Sequence, residues 1–235
     1  MKKSLKNAAI VAIAVSTLGA AGQAEAFTYT VDQSATWLGF MNVFDLPSNG
    51  GAYQFGSAWG TADLTATWSS PSSLTLGTNN INDPNSYWYV GGGAPGAQGN
   101  KIMDANMYVQ VADGSLSNQT VTFTGNVVAN TLFGQTDSLG NAWTSVAFIK
   151  EFTSDFSSFT QTTIPLTTGT FSISKAISSN ATNIVQYGFQ TIGSNVWITD
   201  AAAKGNIQIQ AVPEPTTMLA LGAGLAFLRR RKSTR

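Results

Sequence analysis

Met103-Asp104-Ala105-Asn106-Met107-Tyr108-Val109-Gln110-Val111 decides the fold. Met103, Ala105, Met107, Val109 and Val111 recur at every second residue, and Asp104, Asn106, Tyr108 and Gln110 fill the places between them. Successive side chains of a strand point to opposite faces, so a period of two means one face toward a core and one toward water. Val121, Phe123, Gly125 and Val127 repeat the pattern, with Thr122, Thr124 and Asn126 opposite. Working outward, comparable runs fall near 36–44, 52–58, 61–68, 73–76, 86–90, 143–152, 169–177, 184–192, 194–199 and 205–211. Turn formers separate them: Asn79-Asn80, Asp83-Pro84, Gly91-Gly92-Gly93, Asp113-Gly114, Gly140-Asn141 and Gly193-Ser194-Asn195. No helical stripe of useful length intervenes; Ala201-Ala202-Ala203 is short and stops at Gly205. Many short strands without crossover helices predict an all-β body, a two-sheet jelly-roll sandwich spanning 27–211. No repeat of fixed period is present.

Composition narrows the chemistry. The 235-residue chain has no cysteine and no histidine. Disulfides, thiolate metal sites, Ser-His-Asp and Cys-His triads are therefore excluded. The formal charge is zero, but it is unevenly placed. Between residues 27 and 212 stand Lys101, Lys150, Lys175 and Lys204, no arginine, nine Asp and one Glu, a net charge of −6. That stretch cannot supply the cationic footprint a nucleic acid requires, and a polyanionic partner is disfavoured for the same reason.

The remaining cations sit at the two ends. Lys2, Lys3 and Lys6 precede an apolar run at 8–21, and Ala24-Glu25-Ala26 supplies small residues before a cleavage point. Residues 1–26 thus read as a secretory signal peptide, cut by signal peptidase at Ala24 and Ala26 to leave Phe27 first. At the other end, Val212-Pro213-Glu214-Pro215 leads into thirteen apolar and small residues, 216–228, and then Arg229-Arg230-Arg231-Lys232. The two prolines keep the backbone around Glu214 extended, as a processing protease needs. A helix of thirteen residues covers about 20 Å, short of a ~30 Å hydrocarbon core, and flanking residues must make up the difference. The basic cluster stays cytoplasmic.

Residues 212–235 resemble the PEP-CTERM sorting signal in element order, spacing and the Pro-Glu-Pro core. The resemblance implies a bacterium with an outer membrane that makes exopolysaccharide. It implies as partner an exosortase, a membrane-embedded, Cys-dependent transpeptidase-like enzyme that cuts near Pro213 and Pro215. The protein would be secreted, anchored transiently in the inner membrane by a short transmembrane helix, then delivered to the cell surface or extracellular matrix.

The body is similar, more weakly, to carbohydrate-binding modules of the galactose-binding-like jelly-roll type. The similarity rests on stretches 119–125, 169–174, 185–190 and 195–200, mostly core strands. Sugar rings stack their apolar faces on flat aromatic side chains, so Tyr87-Trp88-Tyr89, directly before the triple glycine, Trp59 beside Gly60 and Trp37 beside Gly39 are the candidate carbohydrate-binding residues. The opposing reading makes these rings core. Alternation along a strand through 86–90 would force at least one of the three adjacent rings off the core face.

Catalysis has less support. A glycosidase needs two facing carboxylates, and Glu151 and the Asp residues occur in no recognisable catalytic setting. The oxygen-rich run 79–83 lacks the spacing of the standard calcium loop, so no metal ligand and no cofactor is assigned; a structural calcium ion elsewhere has no place fixed by sequence. The expectation is a non-enzymatic surface or matrix protein that binds exopolysaccharide. The alternatives are a polysaccharide-active hydrolase or lyase, marked by a cleft with two carboxylates, and a self-associating structural component, marked by exposed strand edges.

Overall fold

The computed structural model describes residues 26–212. Residues 1–25, which include the cleavage candidate Ala24, and, at the other end, Pro213, Glu214, Pro215, Arg229, Arg230, Arg231 and Lys232 lie outside the described residues. Fourteen strands follow one another. They are β1 (Ala26–Thr30), β2 (Trp37–Asp45), β3 (Tyr53–Ala58), β4 (Ala66–Ser70), β5 (Ser73–Gly77), β6 (Asn80–Ile81) and β7 (Lys101–Val111). Then come β8 (Thr120–Asn130), β9 (Thr144–Phe152), β10 (Phe159–Pro165), β11 (Gly169–Ala176), β12 (Ile184–Ser194), β13 (Val196–Trp197) and β14 (Asn206–Gln210). Ile198–Lys204 forms a short 3-10 helix between the last two.

The fold is an all-β, jelly-roll-like sandwich of two six-stranded sheets. One sheet has the order β10-β9-β12-β7-β2-β3, antiparallel throughout. The other runs β1-β8-β14-β5-β4, with β11 on the far edge of β8. β1 (parallel) and β14 (antiparallel) therefore share one edge of β8, end to end, and the Val212 amide donates to Thr30 Oγ1 at 3.2 Å where they meet. β6 and β13 make a small parallel pair.

The alternation in β7 and β8 is the reason the sheets stack. Met103, Ala105, Met107 and Val109 from one sheet and Val121, Phe123 and Val127 from the other are all buried in one apolar cluster. Phe123 stands at its centre, with ring centroids 5.3 Å from Tyr187, 5.3 Å from Phe189 and 5.6 Å from Phe171. Each such buried ring contributes about 1.5–3 kcal/mol by leaving water.

Three expected strands need correction. Residues 86–90 are not a strand. Asp83 Oδ1 accepts from the Asn85 amide at 2.9 Å, Asn85 Oδ1 from the Tyr87 amide at 2.8 Å, and the Asn85 carbonyl from the amides of Trp88 and Tyr89. These side-chain and main-chain bonds wind the aromatic trio into a turn, as Asx residues beside proline do. The run 61–68 is extended only from Ala66; before it, the Gly60 carbonyl accepts from the amides of Asp63 and Leu64, and Thr65 has φ 57°. This turn drops Leu64 into the core. The run 194–199 gives only the two-residue β13 before the 3-10 helix. β1 and β10 had no counterpart in the pattern, because β1 is short and β10 is an edge strand exposed over most of its length.

Candidate functional site

β3 and β4 are the edge strands on one side of the sandwich, one in each sheet, and the chain crosses between them through 59–65. A groove of about 780 Å³ opens along that crossing. Trp59 forms part of its wall, with Asp63, Thr67, Asn80, Asn82 and Ile198. Its volume falls within the range of small-molecule and sugar sites. Trp59 is half-buried, packed on the core from one side. Its indole N–H is held by Ser57 Oγ at 2.8 Å, and its backbone N–H by the Gly39 carbonyl at 3.0 Å, so the ring is fixed before any ligand arrives. Gly39 is a condition of that placement, since a Cβ there would strike the Trp59 carbonyl oxygen and lie 2.7 Å from Leu64 Cδ1. Asp63, Thr67 and Asn82 are exposed and present a carboxylate, a hydroxyl and an amide toward the same space.

The other aromatic candidates are placed differently. Trp37 stacks on Phe189 with centroids 6.1 Å apart and planes within 9°, touches Trp68 at 5.9 Å, and donates its N–H to the Asp32 carbonyl at 2.7 Å. It is a wall of the core. Trp88 is half-buried and meets Phe55 and Tyr87 edge to face. Tyr87 lies 4.3 Å over Lys101 Nζ, which is paired at 2.9 Å with Asp45; its ring shields that ion pair. Tyr89 is fully buried, its hydroxyl donated to main-chain carbonyls at Ile81 and Val196, so it offers no surface for a ligand. The structure does not bring the five rings together; Trp59 stands apart from the trio as the one that lines the groove.

A smaller cleft, about 330 Å³, holds the carboxylates of Asp137 and Asp200 beside Lys204. Asp200 Oδ2 accepts from the Gly96 amide at 2.7 Å. Burial pushes Asp137 up, but hydrogen bonds from the Asn141 side chain and backbone and from the Leu139 amide outweigh it and hold the carboxyl below its ordinary range. A general acid needs the opposite shift. Glu151 is likewise a structural tie. Burial raises it, while bonds from Ser178 and Asn183 and the nearby Lys175 lower it by more, and the net direction is down. In the run 79–83, Asn79 is buried and donates to the carbonyls of Met103 at 2.8 Å and Thr191 at 3.3 Å, bracing β7 and β12. Among the described residues no three His, Cys, Asp or Glu side chains gather as a metal site.

Residues 211–232 match the family described as PEP-CTERM protein-sorting motif. No curated protein and no solved structure matches the chain. Among the described residues no helix is long and apolar enough to cross a membrane. The motif makes an exosortase the processing partner, and it places the protein on the secretory route, held in the membrane before cleavage.

Proposed function

We propose, for a chain that carries this sorting motif, that the sandwich is a non-enzymatic surface or matrix module that binds exopolysaccharide along the Trp59 groove. The observation that carries the reading is the groove itself: a held, half-buried indole facing a space of about 780 Å³ whose other walls offer hydroxyl, amide and carboxylate groups. The indole face takes the apolar C–H face of a sugar ring. Asp63, Asn82 and Thr67 take its hydroxyls. Such a site binds without chemistry, since its walls hold one carboxylate, Asp63, and no second one facing it.

Affinity electrophoresis of the full chain in detergent, through gels containing exopolysaccharide from the producing cells, tests this. Trp59→Ala should lose most of the retardation and keep cooperative unfolding, because the ring is only partly in the core. Trp37→Ala, which removes a partly buried ring stacked on Phe189, should be less stable by up to about 3 kcal/mol and should bind while folded. Unchanged retardation of Trp59→Ala would overturn the reading.

A further inference from the structure

The sheet β10-β9-β12-β7-β2-β3 has an outward face with features that a solvated strand surface does not need. Register sets Gln110, Gln186, Lys150 and Gln161 in one row across four strands, and Asn42 and Asp104 in another, with Asn106 and Gln190 between. Asn106, Lys150 and Gln186 are only 5–7% exposed. They bury one another. Lys150 Nζ donates to Asn106 Oδ1 at 2.7 Å, Asn106 Nδ2 and Gln190 Nε2 both donate to Asp104 Oδ1 at 2.8 Å, and Gln186 Nε2 donates to Gln110 Oε1 at 2.9 Å. Phe148, on the same face, is fully buried yet stands outside the core cluster. The Lys150 ammonium lies 4.2 Å over its ring and 5.9 Å from that of Phe159, which is half-exposed.

Lys150 is the anomaly. Buried charges are ordinarily paired, and the ion pairs among the described residues are Lys101–Asp45 and Lys175–Glu151. Lys150 is in neither. Of its three N–H donors one is used by Asn106. Burial lowers its pKa, and the charge of Asp104 raises it back in part. Asp104 keeps acceptor capacity too, since its Oδ2 takes a single, long bond from Asn42 at 3.4 Å. Donors and acceptors thus alternate on a frame already rigid, and a ligand loses little of its binding energy to ordering such a frame.

We infer that this face is a second saccharide-binding surface, which takes a neutral, hydroxyl-rich chain whose vicinal hydroxyls accept from Lys150 and donate to Asp104. It shares the ligand class of the Trp59 groove and not the site. Neutrality follows from charge complementarity: the network holds one cation and one carboxylate, on a body of net −6 that repels polyanions. Four strands at about 4.8 Å span roughly 15–20 Å, enough for several rings. Two separate sites on one body would let the protein bridge polysaccharide chains.

Titration calorimetry of the full chain in detergent, against neutral gluco-, manno- and galacto-hexasaccharides and an oligouronate of equal length, tests it. At least one neutral hexasaccharide should bind, with affinity changing less than twofold between 50 and 500 mM salt. Lys150→Met should weaken it tenfold or more in a Trp59→Ala background. Phe159→Ser, at an exposed ring, should weaken it several-fold and serves if Lys150→Met fails to fold. The inference is overturned if no neutral hexasaccharide binds, if Trp59→Ala alone abolishes all binding, if the Lys150 and Phe159 variants bind as the parent does, or if the oligouronate alone binds. Trp59→Ala binding as the parent does, with the Lys150 contribution intact, would instead overturn only the groove.

Discussion

At the scale of single residues, the chemistry of this body is mostly structural tying, and Glu151 shows how that is read. Its carboxylate is nearly buried in the sandwich and accepts from Ser178 and Asn183, with Lys175 Nζ 3.6 Å away. Its folded-state pKa lies below the ordinary 4.5. The group therefore contributes stability that is present in full above the unfolded value and is lost as the pH falls through the folded one. Glu151→Gln should lower the neutral plateau by that contribution and flatten the acid side below about pH 4.5, so that its profile converges on the parent's in acid, measured by urea denaturation at a series of pH values. An acid limb as steep as the parent's would assign the loss to other carboxylates. The same residue had stood in the sequence as one half of an imaginable catalytic pair. Sequence shows the charge but not the three partners that consume it, because Lys175, Ser178 and Asn183 reach it from a different strand and loop.

At the scale of elements, the strands with one buried face were legible and the turns were not. β7 and β8 sort their side chains by parity, so their alternation is written directly in the residues. The aromatic trio at 87–89 alternates with nothing. Its conformation is set by Asp83, Pro84 and Asn85 upstream, and three aromatics with strand propensity were outweighed by two Asx side-chain bonds. The Trp59 groove was half legible: the ring beside a glycine was visible, but the groove exists because the chain changes sheets there, which is a tertiary fact. The buried row around Lys150 left no local signal, since it requires four strands to be in register. Gly39 tests the crossing. Gly39→Ala places a methyl group against the Trp59 carbonyl and Leu64. It should destabilise the fold by about 1–3 kcal/mol, as overpacking does. It should also weaken polysaccharide retardation, because the 59–65 crossing has to move. Normal stability with normal binding would mean that the turn yields without disturbing the groove.

At the scale of the whole molecule, a sorting motif at 211–232 follows one sandwich. The body carries its own core, and its first and last strands meet on one edge of β8. Processing belongs to the sorting motif. Replacing Pro213 and Glu214 together with Ala should leave the protein in the inner membrane at unprocessed length, seen by cell fractionation and immunoblotting. Arrival at the surface at normal size would count against exosortase handling. Whether the body engages exopolysaccharide is read by co-sedimentation. Purified 27–211 is mixed with insoluble matrix from cells that lack the protein, across a range of protein concentrations and at two salt levels. Retention in the pellet should be saturable, little changed by salt and sharply reduced by Trp59→Ala. Retention that never saturates, or a body that stays in the supernatant at every concentration, would contradict that engagement.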